Sequence, residues 1–360
     1  MKIDVLFVIS DMQGGGAQRV LSIIMHELVK QGYSIALLTL KNASQDMYNI
    51  PSTISRYTLN DQCRSASLMG KCFNNIFRLL SIRHKIQGIS PKLVFSFIFT
   101  TNILVLLATL GLKQKVIISE RNDPSRQTEG WVWDKLRTFL YKHADKVTAN
   151  SAAAVSSLSQ YVPLSKLHYL PNPILLNHRI RSEVSGKKIV AVGRLHPQKA
   201  LNLLISAFAA IHKIHPDWQL YIVGNGPEED SLKKLVEEYG IVSSVYWVGF
   251  TKEPEHYYQA CDIFVLPSIY EGTSNALLEA MAHGLPIIVS DSLVGIREFI
   301  HHGDNALYFR SGNEMDLKQQ LIKLITNDAL RKRLANRAYQ TVQLFDIKNI
   351  LPAWKQLITL

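Results

Sequence analysis

At 360 residues the chain is too long for one ordinary hydrophobic core and right for two domains. Hydrophobic residues make up 47% and charged residues 19%, the composition of a globular protein. Three cysteines (Cys63, Cys72 and Cys261), odd in number and without metal-type spacing, argue for a reducing compartment and against a disulfide framework or a zinc site. The formal net charge is +11, and all of it falls in residues 1–185, which hold 22 Lys and Arg against 11 Asp and Glu. Residues 186–360 hold 18 of each. A basic half can face nucleic acid, an anionic membrane or a phosphorylated ligand. No basic run interleaves with aromatics, so nucleic acid is not expected.

The opening apolar run, residues 5–9, is shorter than a signal-peptide core, so a secretory leader is not expected. Residues 3–9 read as a strand, 10–16 as a glycine loop, 17–30 as a helix and 35–40 as the next strand. That βαβ opening predicts a parallel sheet. The loop is not a dinucleotide fingerprint. Gly14 and Gly16 fit, but position 19 is Arg, and no acidic residue ends the second strand. The glycines instead let a ligand approach the backbone. Arg19 can contact an acceptor phosphate, or be a solvated cation on a first helical turn.

Residues 63–92 carry Arg64, Lys71, Arg78, Arg83, Lys85 and Lys92 with no acidic residue, beside an apolar helical stripe that includes Ile76, Leu79, Leu80 and Ile82. A basic amphipathic helix can lie on an anionic membrane. An ordinary surface helix packed on the sheet has the same pattern. Residues 93–112 hold no charge, the length of a membrane span. Ser96, Thr100, Thr101 and Asn102 interrupt it, so it reads as a buried strand (93–97), a turn and a buried helix (about 102–110). Strands follow at 116–119 and 146–149, the first leading into Glu120-Arg121-Asn122-Asp123-Pro124. Residues at the carboxyl ends of parallel strands face ligands. Arg121 stays protonated and cannot be a general base.

After a polar linker at 175–186, strand 189–192 leads into Gly193-Arg194-Leu195, then Lys199 and a helix from about 201. Arg194 and Lys199 flank one loop, so both can address one anion; Arg grips phosphate bidentately and Lys acts as a point charge. Strands at 220–223 and 245–248 end in Gly224-Asn225-Gly226 and Gly249-Phe250-Thr251, whose glycines allow a flat base and a ribose to come close. Strand 263–266 precedes Glu271-Gly272 and a helix at about 274–283, stopped by Gly284 and Pro286. Strand 287–289 follows. The helix start can hold a diphosphate. Glu271 before it and Glu279 one turn inside it are acceptors suited to sugar and ribose hydroxyls. Residues 314–340 read as helices, and 344–360 as a terminal amphipathic helix.

Tyr270-Glu271-Gly272, Asn275, Glu279-Ala280-Met281 and Gly284-Leu285-Pro286-Ile287 together resemble the nucleotide-sugar signature of the family 4 retaining glycosyltransferases. Relatives often carry Phe-Gly after Glu-Gly. Here the pair is Thr273-Ser274, a departure that bears on the fine shape of the phosphate contact. Several relatives have His where Arg121 stands. The resemblance implies an α/β fold of GT-B type: two Rossmann-like parallel-sheet domains facing across a cleft. It places an acceptor-side domain at 1–174, a linker at 175–186 and a nucleotide-sugar domain at 187–343. A terminal helix, 344–360, returns to the first domain.

The activity implied is transfer of a hexose or N-acetylhexosamine, with retained configuration, from a nucleotide diphosphate sugar to a glycan acceptor. A UDP-sugar is favoured, and the acceptor is expected to be lipid-linked or membrane-held. Glu271, Arg194 and Lys199 are the expected catalytic residues, with Glu120 and Arg121 in acceptor or transition-state contact. Gly16, Gly224, Gly226, Phe250 and Thr251 are expected on the donor, as are Thr273, Ser274, Asn275 and Glu279. Gly15 and Arg19 are expected on the acceptor. No metal or other cofactor is expected, because the cations neutralise the diphosphate. Lys71, Arg78, Arg83 and Lys85 are expected to meet an anionic membrane, which places the protein in the cytoplasm, peripheral on the inner face of the cell membrane. A nucleotide-sugar epimerase or a non-catalytic binding subunit remains the alternative reading.

Overall fold

The computed structural model describes residues 2–59, 68–176 and 186–359, so most of the expected linker lies outside it. The chain divides into two compact units, Met1–Pro173 with Lys348–Leu360, and Ile174–Ile347.

The first unit runs β1 (Val5–Ile9), α1 (Gly16–Lys30), β2 (Ile35–Thr39), β3 (Ser55–Thr58) and α2 (Leu68–Ile89). It continues β4 (Leu93–Phe97), α3 (Phe99–Thr109), β5 (Lys115–Glu120), α4 (Trp131–Leu140), β6 (Lys146–Ala149), α5 (Ala152–Leu158) and β7 (Leu167–Tyr169). Its strands form one parallel sheet in the order β3-β2-β1-β4-β5-β6-β7. β1, β2 and β4 are buried along their whole length. Strands covered on both faces read as near-continuous apolar runs, and these do, with Ser96 in β4 and Thr39 at the end of β2 their polar members.

The second unit runs β8 (Lys188–Val192), α6 (Leu201–His212), β9 (Gln219–Val223), α7 (Glu229–Glu238), β10 (Val245–Gly249) and α8 (Glu255–Ala260). Then come β11 (Ile263–Leu266), α9 (Asn275–Ala282), β12 (Ile287–Ser290), β13 (Leu307–Phe309), α10 (Glu314–Thr326) and α11 (Asp328–Val342). Its parallel sheet has the order β10-β9-β8-β11-β12-β13. α9 stops as its sequence dictates. Gly284 is left-handed (φ 68). Its N–H reaches the Met281 carbonyl and the Leu285 N–H reaches that of Ala280, which is the paired closure of a Schellman motif.

The uncharged run 93–112 is the buried strand β4 followed by the buried helix α3. α3 begins at Phe99, earlier than its polar residues suggest, because Phe99 and Ile103 both point into the core. Among the described residues no helix is long and apolar enough to cross a membrane. Ser96 and Asn102, which break the run, hydrogen-bond to each other at 2.5 Å. β3, α4, α5, β7 and β13 had no clear sequence signal.

The last helix, α12 (Ile347–Ile358), packs within the first unit. Its Trp354 is fully buried and stacks on Phe95 (5.2 Å) and Phe97 (6.1 Å) of β4. Both rings also approach Phe7 of β1. One indole thus fixes the helix over the middle of the sheet. Trp354→Ala is expected to destabilise the protein by about 3–5 kcal/mol, the usual cost of deleting a buried ring. Urea unfolding measures this, and a loss below 1 kcal/mol would mean the helix is not held there.

Candidate functional site

In the second unit the chain builds outward from β8 to β9 and β10, then returns to place β11 on the other side of β8. The loops leaving β8 and β11 therefore diverge at the carboxyl edge, the place where open parallel sheets bind ligands. Those loops carry Lys199 and Glu271. Lys199 Nζ lies 2.5 Å from Glu271 Oε1, with both side chains mostly buried (16% and 12% exposed). The Ser268 hydroxyl donates to the same oxygen at 2.9 Å. Gln198 ties the loops further: its side-chain amide donates to the Tyr270 carbonyl, and its carbonyl accepts from the Ile269 N–H, each at 2.8 Å. Ala200, next to Lys199, is held left-handed at φ 47. Arg194 is exposed on the same loop, with no partner among the described residues.

The other residues expected on the donor from the second unit gather at this edge. Thr273 and Ser274 are buried at the entrance to α9, and Asn275 opens that helix. The first N–H groups of a helix have no partner inside it and suit an anion. Glu279 sits one turn on, its Oε2 accepting from the Tyr258 hydroxyl at 3.0 Å. Half-buried Phe250 and Thr251 follow β10. Gly224 and Gly226 have a role that the sequence does not convey. A Cβ on Gly224 would lie 1.9 Å from the Gly193 carbonyl oxygen, and one on Gly226 would lie 2.3 Å from that of Leu195. Their bareness lets the loop after β9 pack on the backbone of the Arg194 loop, joined by the bond from Leu195 N–H to the Asn225 carbonyl (2.8 Å).

The first unit has its own reversal of strand order, between β1 and β4. The glycine loop after β1 is organised by Asp11, which accepts from the Gln13 N–H (3.2 Å) and the Gln18 amide (3.1 Å) and pairs with Lys41 (3.1 Å). Tyr48 donates to the Gly15 carbonyl at 3.2 Å. Gly16 opens α1 and is exposed, and Arg19 lies half-buried in its first turn. Across the gap, Ile98 ends β4 at φ 74, an outlier for a β-branched residue.

Glu120 and Arg121 end β5, and the structure turns both inward. Glu120 is 1% exposed and accepts from the Tyr141 hydroxyl, which in turn accepts from the Asn102 amide at 3.3 Å. The Arg121 guanidinium donates to the Leu170 carbonyl (3.0 Å) and to Asn172 Oδ1 (2.9 Å). It lies over the rings of Phe97 and Trp354, and its Nε and Nη2 are buried without hydrogen-bond partners. This geometry suits shaping the 121–124 loop better than touching a ligand.

The basic helix α2 also differs from expectation. Arg83 Nη1 donates to the carbonyls of Ala108 and Leu110, each at 2.8 Å, closing the end of α3. Lys85 lies over the Tyr57 ring, and Arg78 donates to Asn75 Oδ1. The Lys71 side chain lies outside the described residues. The apolar stripe divides: Ile82 and Ile86 are buried, whereas Ile76, Phe77 and Leu80 are exposed. A second exposed apolar face, not singled out in the sequence, lies on α4. Trp131 (69% exposed), Val132 and Phe139 project outward. Lys135 lies over the Trp131 ring at 4.5 Å, and Lys142 over Phe139 at 4.9 Å. Both α2 and α4 pack beside α3. Among the described residues no cluster of His, Cys, Asp and Glu could hold a metal ion.

Nearly the whole chain matches known proteins. Residues 14–178 match the family described as Glycosyltransferase Family 4, and residues 177–341 match Glycosyl transferases group 1. A Campylobacter jejuni α-1,4-N-acetyl-D-galactosaminyltransferase named for a diphospho-undecaprenol-linked acceptor is 25% identical over 99% of this chain and 98% of its own. A second N-acetylgalactosaminyltransferase of that organism is 27% identical over 95% of each. An Anabaena HepE structure containing UDP and glucose superposes with a TM-score of 0.82 at 18% identity, covering 99% of both chains. The chain belongs to the group 1, family 4 glycosyltransferases, and it is a transferase with the GT-B fold.

The buried end of β5 carries a pH signature. Burial pushes the Glu120 carboxyl up to about 7, against the Tyr141 hydrogen bond and the Arg137 charge, which act downward. Between its ordinary value of 4.5 and about 7, the folded protein keeps this proton and the unfolded chain releases it. Raising pH through that window therefore favours unfolding. Glu120→Gln has no such proton. Relative to this variant, wild type should lose up to about 3 kcal/mol of stability between pH 5 and pH 8. Parallel unfolding curves at the two pH values would show Glu120 to be solvated instead.

Proposed function

We propose that the protein transfers a hexose or N-acetylhexosamine from a UDP-sugar to a lipid-linked or otherwise membrane-held glycan, with retention of configuration. The observation that carries this is the Lys199–Glu271 contact at the switch point beside α9. A cation and a carboxylate held together there can divide a nucleotide sugar between them. Lys199 and Arg194 take the diphosphate with the start of α9, Glu271 takes sugar hydroxyls, and Glu279 takes the ribose. The bond between the anomeric carbon and the diphosphate oxygen breaks as the acceptor oxygen bonds on the same face. The acceptor's proton passes to the departing diphosphate. Positioning and charge stabilisation supply the catalysis. Support for UDP comes from the UDP-containing structural neighbour, and for a lipid-linked acceptor from the names of the Campylobacter relatives. Gly15 and Arg19 at the other switch point read the acceptor side and Gly16 beside them meets the donor, with Glu120 and Arg121 positioning the loop after β5.

The membrane reading rests on the outer faces of α2 and α4 in the basic half of the chain. Exposed aromatic residues with lysines over their rings suit the interface of an anionic leaflet, where ring and ammonium both find partners. Attachment there places the enzyme peripherally, on the cytoplasmic face where nucleotide sugars are made.

Arg194→Ala and Lys199→Ala should each lower kcat by about 10²–10³, the usual loss for one charged stabiliser of a developing anion. Lys199→Ala should be the worse, because it also leaves Glu271 without its cation. The melting temperature should change little in Arg194→Ala and fall in Lys199→Ala, where the mostly buried Glu271 loses its cation, and EDTA should leave wild-type turnover intact. Near-normal kcat in both variants, or abolition by EDTA, would overturn the clamp. For the membrane, wild type should pellet with anionic vesicles, release with salt and ignore neutral ones. Trp131→Ser and Phe139→Ser should each weaken partitioning by about tenfold, since a fully buried ring contributes about 1.5–3 kcal/mol. Failure of wild type to pellet removes the membrane, and unchanged pelleting of the variants removes α4.

A further inference from the structure

We infer that Tyr258 is a positioning residue that pre-sets Glu279 for the ribose of the bound nucleotide. The inference rests on the ribose role proposed for Glu279. Tyr258 lies on α8, just before β11, and Glu279 on α9, just after it, 21 residues later. The phenol is fully buried. Its ring meets the edge of Phe264 (6.1 Å, 61°) and lies against His283 (5.4 Å, 30°), so its direction is set by packing. The hydroxyl donates to Glu279 Oε2 at 3.0 Å. His283 holds the same turn from the other side, its Nδ1 lying 2.7 Å from the Glu279 carbonyl oxygen.

A buried phenol needs an acceptor, and any carbonyl would serve. A half-buried carboxylate is a costly acceptor unless its charge has further work. Ionised Glu offers about four lone-pair sites, and a ribose diol brings two donors. The phenol bond takes one of these sites and sets the direction in which the carboxylate faces. Glutamate is otherwise flexible, and holding it before the nucleotide arrives removes an ordering cost from binding. His283 cannot substitute, because its contact is with the backbone of Glu279 and does not steer the carboxylate.

The test compares wild type, Tyr258→Phe, Glu279→Gln and the double variant in calorimetric titrations with UDP and with 2′,3′-dideoxy-UDP. Wild type should prefer UDP. Tyr258→Phe should bind UDP about tenfold more weakly, and dideoxy-UDP as wild type does. The double variant should be no worse than Glu279→Gln. In turnover, Tyr258→Phe should raise the donor KM and leave kcat near normal, with an unchanged melting temperature for the ligand-free protein. Equal weakening of both nucleotides in Tyr258→Phe would make the residue simple packing and overturn the inference. Undiminished UDP affinity would overturn it too. If wild type itself fails to distinguish the two nucleotides, the ribose role of Glu279 fails first, and the inference falls with it.

Discussion

The parallel pairing of β8 with β11 is the constraint on which the donor-side site depends. Ile263 and Phe264 lie in register with Ile189 and Val190, deep in the core. Because both strands run the same way, their carboxyl ends emerge side by side, and each must release its loop in an opposite direction. Lys199 and Glu271, 72 positions apart, meet only through that arrangement. Their contact adds little to stability, since taking two charges out of water offsets most of their attraction. What it fixes is geometry. Gln198 ties the Glu271 loop to the Lys199 loop, and Ser268 braces Glu271 within its own loop. Under the proposed transfer, an arriving diphosphate would meet a cation already in place beside its carboxylate. Such preorganisation is the main source of electrostatic catalysis.

Of the four non-glycine residues with positive φ among the described residues, two follow strands that flank a reversal of strand order. Ala200 is left-handed beside the Lys199 loop, and Ile98 is left-handed where β4 ends opposite the glycine loop. Conformations of this kind cost of order 1–3 kcal/mol each and persist only where packing over-determines them. Here the packing is plain. Ala200 stands directly before buried Leu201, and Ile98 stands between buried Phe97 and Phe99. In each case a core residue must point inward while the preceding backbone turns sharply at the sheet edge.

The sequence reveals what short-range physics controls. Near-continuous apolar runs marked β1, β2, β4, β11 and β12, and Gly284 with Pro286 marked the end of α9. β7 and β13 span three residues each, and β3 is only half-buried, so none has a run long enough to stand out. Side-chain direction is harder still. Arg83 looked like a lipid-facing cation because no acid lies near it in sequence, yet its partners are carbonyls 25 and 27 positions away. Gly224 and Gly226 were legible as loop glycines, but their packing on another loop's backbone was not. Ser96 and Asn102 interrupt an apolar run because they belong to a buried polar network that reaches Tyr141 and Glu120. Glu271 and Glu279 were legible as a spaced pair; Tyr258, lacking any local pattern, was not.

The charge excess of the first half acquires a direction from the structure. Several of its acids are already matched within the fold, as in Asp4 with Lys92, Asp11 with Lys41 and Asp46 with Arg56. Unmatched cations then remain for the surface, among them Lys135 and Lys142 over exposed rings. α4 follows directly on the loop that leaves β5, so Trp131 lies near the carboxyl edge where the glycine loop also lies. Phe139 is eight residues further along, about 12 Å down the helix at 1.5 Å per residue. A flat anionic surface touching both rings would run along α4 with that edge at one end. An acceptor held in such a surface, as the proposed function has it, would need only its glycan to reach the loops.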